Sequence, residues 1–96
     1  MKISIQLLIL LFVFGSHSLI AAGDAEAGKA KSAPCAACHG ADGNSVNPTW
    51  PKLAGQGAPY LVGQLEMFKD GTRANALMAP QVAALSEQDM HDLAAF

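Results

Sequence analysis

The sequence predicts an all-α protein, and three observations carry that prediction. Residues 23–96 hold no run of alternating β-branched side chains of the kind a strand needs. Leu61, Leu65 and Phe68 recur at helical spacing between a proline and a glycine. Helix starts are written locally at Asp24, and at Ser86 with Asp89 three residues on.

The first 22 residues are expected to stand outside that fold. They open with Lys2, continue as a mostly apolar run from Ile3 to Phe14, and end in small residues at Ala21 and Ala22. This order reads as a secretory signal peptide, cleaved after Ala22 or one residue later. Gly15 to Ser18 interrupts the run before it reaches the roughly 20 apolar residues of a membrane anchor. One domain, 23–96, follows. There Lys29, Lys31, Lys52, Lys69 and Arg73 face eight Asp and Glu. That balance offers no basic stripe for nucleic acid.

Within the domain, a helix is expected from about Ala25 to Ala33. Asp24 is its N-cap, Glu26 suits the positive end of the helix dipole, and Pro34 disfavours helix at Ala33. Gly28 lowers helix stability, and close approach by another helix would explain it. Residues 41–57, rich in Gly, Pro, Asn and Asp, read as a loop whose insertable apolar residues are Trp50 and Leu53. A second helix should start at Pro59 and stop before Gly71. The last should start at Glu87, behind a Ser86–Asp89 capping box and a Leu85–Met90 staple, and run to the end. The chain stops at Phe96 without a C-cap. The expectation is a helix cut short.

A domain below about 80 residues usually needs a staple. The only two cysteines lie in Cys35-Ala36-Ala37-Cys38-His39, and three readings compete for them. A thioredoxin-type disulfide needs a nearby βαβ pattern, which is missing. Structural zinc needs four ligands, and Cys35, Cys38 and His39 supply three. The spacing C-x-x-C-H is the signature of covalent c-type haem, in which the two thiols add to the haem vinyl groups and the adjacent imidazole reaches the iron. Export agrees with haem attachment. A sixth ligand could be Met67, Met78 or Met90, or His91. Met90 is claimed by the staple and Met67 lies mid-helix. Met78 lies in "RANALMAP", outside the regular helices, where a loop can cross to the far haem face. His91, beside Asp92, reads as surface.

The stretches "GDAEAGKAKSAPCAACHGADG", "WPKLAGQGAPYLVGQLEMFKDGTR" and "MAPQVAALSEQDMHDLAAF" resemble class I c-type cytochromes over nearly all of residues 23–96. The match is closest to the bacterial periplasmic subgroup with cytochrome c-553 and cytochrome c-four. The resemblance implies the small all-α cytochrome c fold, with helices packed around one covalently attached haem c and the first and last helices crossing. It implies that Gly28 meets Phe96, that His39 and Met78 are the axial iron ligands, and that Pro51 offers its carbonyl to His39. Trp50, Tyr60 and Arg73 are candidates to meet the haem propionates, with Leu53 in the haem environment. The implied role is a periplasmic one-electron carrier, not an enzyme, docking transiently on redox partner proteins such as a membrane-associated oxidase or reductase. The alternatives are an electron-entry domain of a larger oxidoreductase, and a peroxidase or gas sensor with a labile Met78. Two departures stand out: the last helix ends at the aromatic, and no second C-x-x-C-H follows.

Overall fold

The computed structural model describes residues 22–96. The expected leader therefore lies, except for Ala22, outside the described residues. Five helices follow in order: α1, Ala25–Lys31; α2, Ala33–His39; α3, Ala58–Asp70; α4, Met78–Val82; and α5, Glu87–Ala95. No strand occurs among the described residues. The all-α expectation holds.

Helix α1 starts where the local chemistry places it. Asp24 is extended, and its side chain accepts from the Glu26 and Ala27 amides. The helix ends at Lys31, two residues short of the expected Ala33. Pro34 does not stop the chain there; it occupies the first turn of a new helix, where its missing N–H is no loss. Ser32 closes α1 and opens α2. The cysteine motif therefore sits on a helix that the sequence reading did not anticipate.

Helix α3 fits its expectation to within one residue, and Gly71 terminates it in the left-handed region at φ 83. Its most buried residue is Val62, beside the predicted stripe of Leu61, Leu65 and Phe68, which are half-buried. Helix α5 has the full capping box: Ser86 accepts from the Asp89 amide at 3.0 Å, and Asp89 accepts from the Ser86 amide at 2.9 Å.

The core forms where α5 packs against α1 and α3, and α3 against α4. Met90 and Val82 are each 1% exposed. The expected crossing of first and last helices is present, with different contacts. A Cβ on Gly28 would lie 1.9 Å from the Asp92 carbonyl oxygen and 3.0 Å from the Leu93 nitrogen. The atoms nearest this position on Gly28 thus belong to the backbone of α5 and not to the Phe96 ring, and Phe96 is 47% exposed. Backbone approaches backbone here because Gly28 has no side chain to hold the helices apart.

A second feature of the crossing was misread from sequence. Asp92 is not on a solvated face but 3% exposed. Its Oδ1 accepts from the Asp24 amide and from Gln88 Nε2, both at 3.0 Å, and its Oδ2 pairs with Lys31 Nζ at 2.7 Å. Lys31 also pairs with Asp89 at 2.7 Å. The Lys31 ammonium, the Asp24 amide and the Gln88 amide together hold the Asp92 carboxyl down to about 2. Asp89 and then Asp92 push the Lys31 ammonium up.

Candidate haem site

Cys35, Cys38 and His39 lie on one short helix, with the two cysteines three residues apart and so on neighbouring positions of one face. Both thiols are free. Cys35 is half-buried, and burial pushes its thiol up. Gly40 then turns the chain at φ 86, and the helix ends on the bond from its amide to Ala36 O. An added Cβ would lie 2.7 Å from Asn44 O, so glycine is required both for its dihedral and for its size.

His39 is 7% exposed. Its Nδ1 lies 2.7 Å from the carbonyl oxygen of Pro51, the pairing expected for this histidine. A carbonyl can only accept, so Nδ1 carries the proton and Nε2 is left as the nitrogen with a lone pair for a metal. Fixing the tautomer and the ring in this way is what a ligating histidine needs. The carbonyl is delivered by the 41–57 loop. Within it, Gly43 O accepts from the Leu53 and Ala54 amides at 2.9 and 3.1 Å, and Asp42, Ser45 and Asn47 side chains accept from amides two residues on.

Met78 is not in an irregular loop. It is the first residue of α4 and is half-buried. Asn75 Oδ1 accepts from the Leu77 and Met78 amides, both at 2.9 Å, and so fixes the start of that helix. Of the rival methionines, one departs from the mid-helix core position expected of it. Met67 is 38% exposed and not a core residue, whereas Met90 is the buried one, as the staple implied. His91 is half-buried and lines a groove of about 450 Å³ with Ala58, Val62, Glu66 and Ala95. None of Cys35, Cys38, His39 or Met78 lines that groove.

Trp50 and Leu53 are half-buried in the loop, and Tyr60 is 56% exposed at the start of α3. Arg73 donates to Gln64 Oε1 at 2.6 Å, and its guanidinium stands 4.5 Å from the centroid of the Phe68 ring. The protein thus gives Arg73 partners of its own. Among the described residues, no cluster of three His, Cys, Asp or Glu side chains could hold a metal ion in the manner of a zinc site. The donor set present is instead two adjacent free thiols and one oriented imidazole, which is the set that covalent haem requires.

Comparison with known proteins decides the family. The cytochrome c family profile matches residues 25–96. The chain belongs to the cytochrome c family. It is 51% identical over 96 residues to cytochrome c4 of Pseudomonas aeruginosa, an alignment covering 99% of this chain and 46% of that protein. It is 45% identical over 78 residues to cytochrome c-554(548) of Halomonas halodenitrificans, covering 78% of this chain and 94% of the relative. The fold matches the crystal structure of reduced cytochrome c4 from Pseudomonas stutzeri with a TM-score of 0.74 at 49% identity, over 77% of this chain and 44% of that one. As a cytochrome c of the c4 type, the chain spans about half the length of the c4 relatives it matches. Family membership brings covalently held haem c as cofactor, and Cys35 and Cys38 fit its attachment motif. No helix among the described residues is long and apolar enough to cross a membrane.

Proposed function

We propose that the chain is an exported one-electron carrier that works in the periplasm, with haem c bound through Cys35 and Cys38 and its iron held between His39 and Met78. The observation that carries this reading is the 2.7 Å bond from His39 Nδ1 to Pro51 O on a buried ring. A metal-binding histidine needs that second partner, and a surface histidine does not.

When bound, the haem supplies a reversible ferric–ferrous couple. The chain's own residues set the conditions for it. Cys35 and Cys38 would hold the haem as thioethers, each thiol adding across one vinyl group with its hydrogen going to the neighbouring carbon, so that attachment would consume no oxidant. His39 Nε2 is aimed by its own hydrogen bond. The Met78 thioether, a soft donor, favours the reduced state and raises the potential. Asn75 and Gln81 are the polar side chains nearest Met78 in sequence; the Asn75 oxygen is already taken by the Leu77 and Met78 amides, and Gln81 is exposed. That argues against a distal polar group for peroxide or gas chemistry. Trp50, Leu53 and Tyr60 form the haem environment in this reading, with Arg73 reaching a propionate by giving up Gln64. Redox proteins that dock at the haem edge, among them a membrane-associated oxidase or reductase, are the proposed partners.

The test is made on protein exported from a host with c-type haem attachment. Acidified organic solvent should leave the haem on the chain, and Cys35→Ser with Cys38→Ser should abolish that. The ferric protein should show the weak near-infrared band of a sulfur–iron bond. Met78→Ala should remove the band and lower the potential. Loss of the band in Met67→Ala with retention in Met78→Ala would overturn the ligand assignment.

A further inference from the structure

We propose that Asp92 is a positioning residue for haem attachment: its buried carboxylate grips both ends of α1 and, through Lys31, fixes the hinge from which α2 presents Cys35, Cys38 and His39. The proposal rests on the reading of those three residues as the haem motif.

The contacts form a continuous chain. Asp92 Oδ1 receives the Asp24 amide just ahead of α1, and Asp92 Oδ2 receives the ammonium of Lys31, the last residue of α1. A helix of seven residues has little stability of its own, so its orientation is set by what holds it. The next residue, Ser32, leaves no slack. Its hydroxyl donates to Lys29 O at 2.8 Å, and its carbonyl accepts from the Cys35 and Ala36 amides, both at 2.9 Å. Cys35 therefore stands one hydrogen bond from the hinge, and the hinge stands one residue from the Lys31 anchor. At its other end α2 is held by the His39–Pro51 bond. Displacing Lys31 would swing α2 about that second anchor and carry both thiols with it.

The chemistry of the clamp suits this role better than it suits stability alone. In this pair Asp92 is buried while the Lys31 side chain is 36% exposed, so desolvation at one end and solvent screening at the other take much of the Coulomb attraction, and what the pair adds is direction. Three donors converge on Asp92 from α1, its N-cap and α5, so the carboxylate defines one rotation of α1 against α5. An apolar contact at the same place would permit a range of rotations. The Gly28 approach fixes the distance between the two backbones but not that rotation.

The experiment compares Asp92→Asn, Lys31→Met and Met90→Ala with the full chain, all co-expressed with haem-attachment machinery. Met90 is equally buried on α5 but lies on its α3 side, lining a second groove with Glu66, Lys69 and Glu87. Haem per chain, reduction potential and unfolding midpoint are read for each. Asp92→Asn and Lys31→Met should lower haem per chain several-fold and shift the potential of the protein that is loaded. Met90→Ala should lower the midpoint as much or more with full loading and an unchanged potential. If loading simply follows the midpoint across all variants, the clamp is structural only and the proposal fails. If Asp92→Asn does not fold, Lys31→Met decides, because it leaves the Asp24 and Gln88 bonds to Asp92 intact. If the unaltered chain itself carries no thioether-bound haem, the functional reading fails and this proposal with it. If the chain is loaded and only the variant contrast is missing, the functional reading stands.

Discussion

At the crossing of α1 and α5, a glycine lets two backbones meet and a buried carboxylate gathers donors from three segments. In the 41–57 loop no residue is fully buried, Val46 is wholly exposed, and order comes from amides bonded to side chains two residues away. The crossing draws its partners from more than 60 residues apart, whereas the loop draws most of its partners from within itself. The one strong tie from the loop into a buried group is Pro51 to His39. The crossing is therefore a load shared among many contacts, and the loop has one contact whose loss would matter to the site. The two regions should respond very differently to small substitutions.

The largest effect is expected at the crossing. Gly28→Val places its first side-chain carbon on the Asp92 carbonyl, where a shift of backbone is unavoidable. Overpacking of this kind costs about 1–3 kcal/mol and more where backbone must move, so a loss of about 3 kcal/mol or more is expected in denaturant unfolding. Gly55→Ala provides the loop counterpart. Space is open around Gly55, and only its φ of 80 opposes a side chain. Its cost should stay near 1 kcal/mol. Equal losses at the two glycines would remove the contrast between the regions.

Strong acid should weaken the crossing. The Asp92 carboxyl is held at about 2 against an ordinary value of 3.8. A depressed folded value means that its contribution is fully present above 3.8 and is lost as pH falls toward about 2. Lys31 works from the opposite side: its raised value means a contribution present below 10.5 and lost only as pH climbs beyond that. Unfolding measured between pH 5 and pH 2 should therefore show a fall that Asp92→Asn flattens. An unchanged slope in the variant would mean that other carboxyls carry the acid response.

Much of this was legible in sequence where the signal is local. The Ser86–Asp89 box, the Asp24 cap and the stop at Gly71 each depend on residues within a turn of one another, and all are in place. The haem motif is local too. Helix α2 was not legible, because Pro34 marks an end and a beginning with the same chemistry. Helix α4, five residues long, shows no period; its only herald is Asn75, whose side chain takes the first amides. Asp92 was hidden for a different reason. A charged residue on an amphipathic helix is expected in water, and its burial depends on Lys31, which is 61 residues away. No local pattern encodes that partner.

A smaller effect separates two helix glycines that look alike in sequence. Nothing lies within 4 Å of the place where a Cβ would stand on Gly63, whereas three backbone atoms crowd the same place on Gly28. Gly63→Ala should stabilise the protein by about 0.5–1 kcal/mol, the usual gain of alanine over glycine inside a helix. A loss at Gly63 would indicate a close neighbour on that face of α3.

The smallest expected effect is a coupling. The family resemblance pairs Gly28 with Phe96, and a direct contact would make their substitutions strongly interdependent. In the structure the atoms nearest Gly28 belong to Asp92 and Leu93, and the Phe96 ring is nearly half exposed. What connects Phe96 to this place is its backbone: its amide donates at 3.2 Å to Asp92 O, the same oxygen that faces Gly28. Truncating the ring leaves that bond intact. Phe96→Ala should therefore cost about 1 kcal/mol, well under the 3–5 kcal/mol of a fully buried phenylalanine. In a cycle with Gly28→Ala the two losses should add to within about 0.5 kcal/mol. A coupling clearly above that would mean that the ring reaches the crossing in solution. The crossing would then differ from the loop by a buried aromatic as well as by its backbone contact.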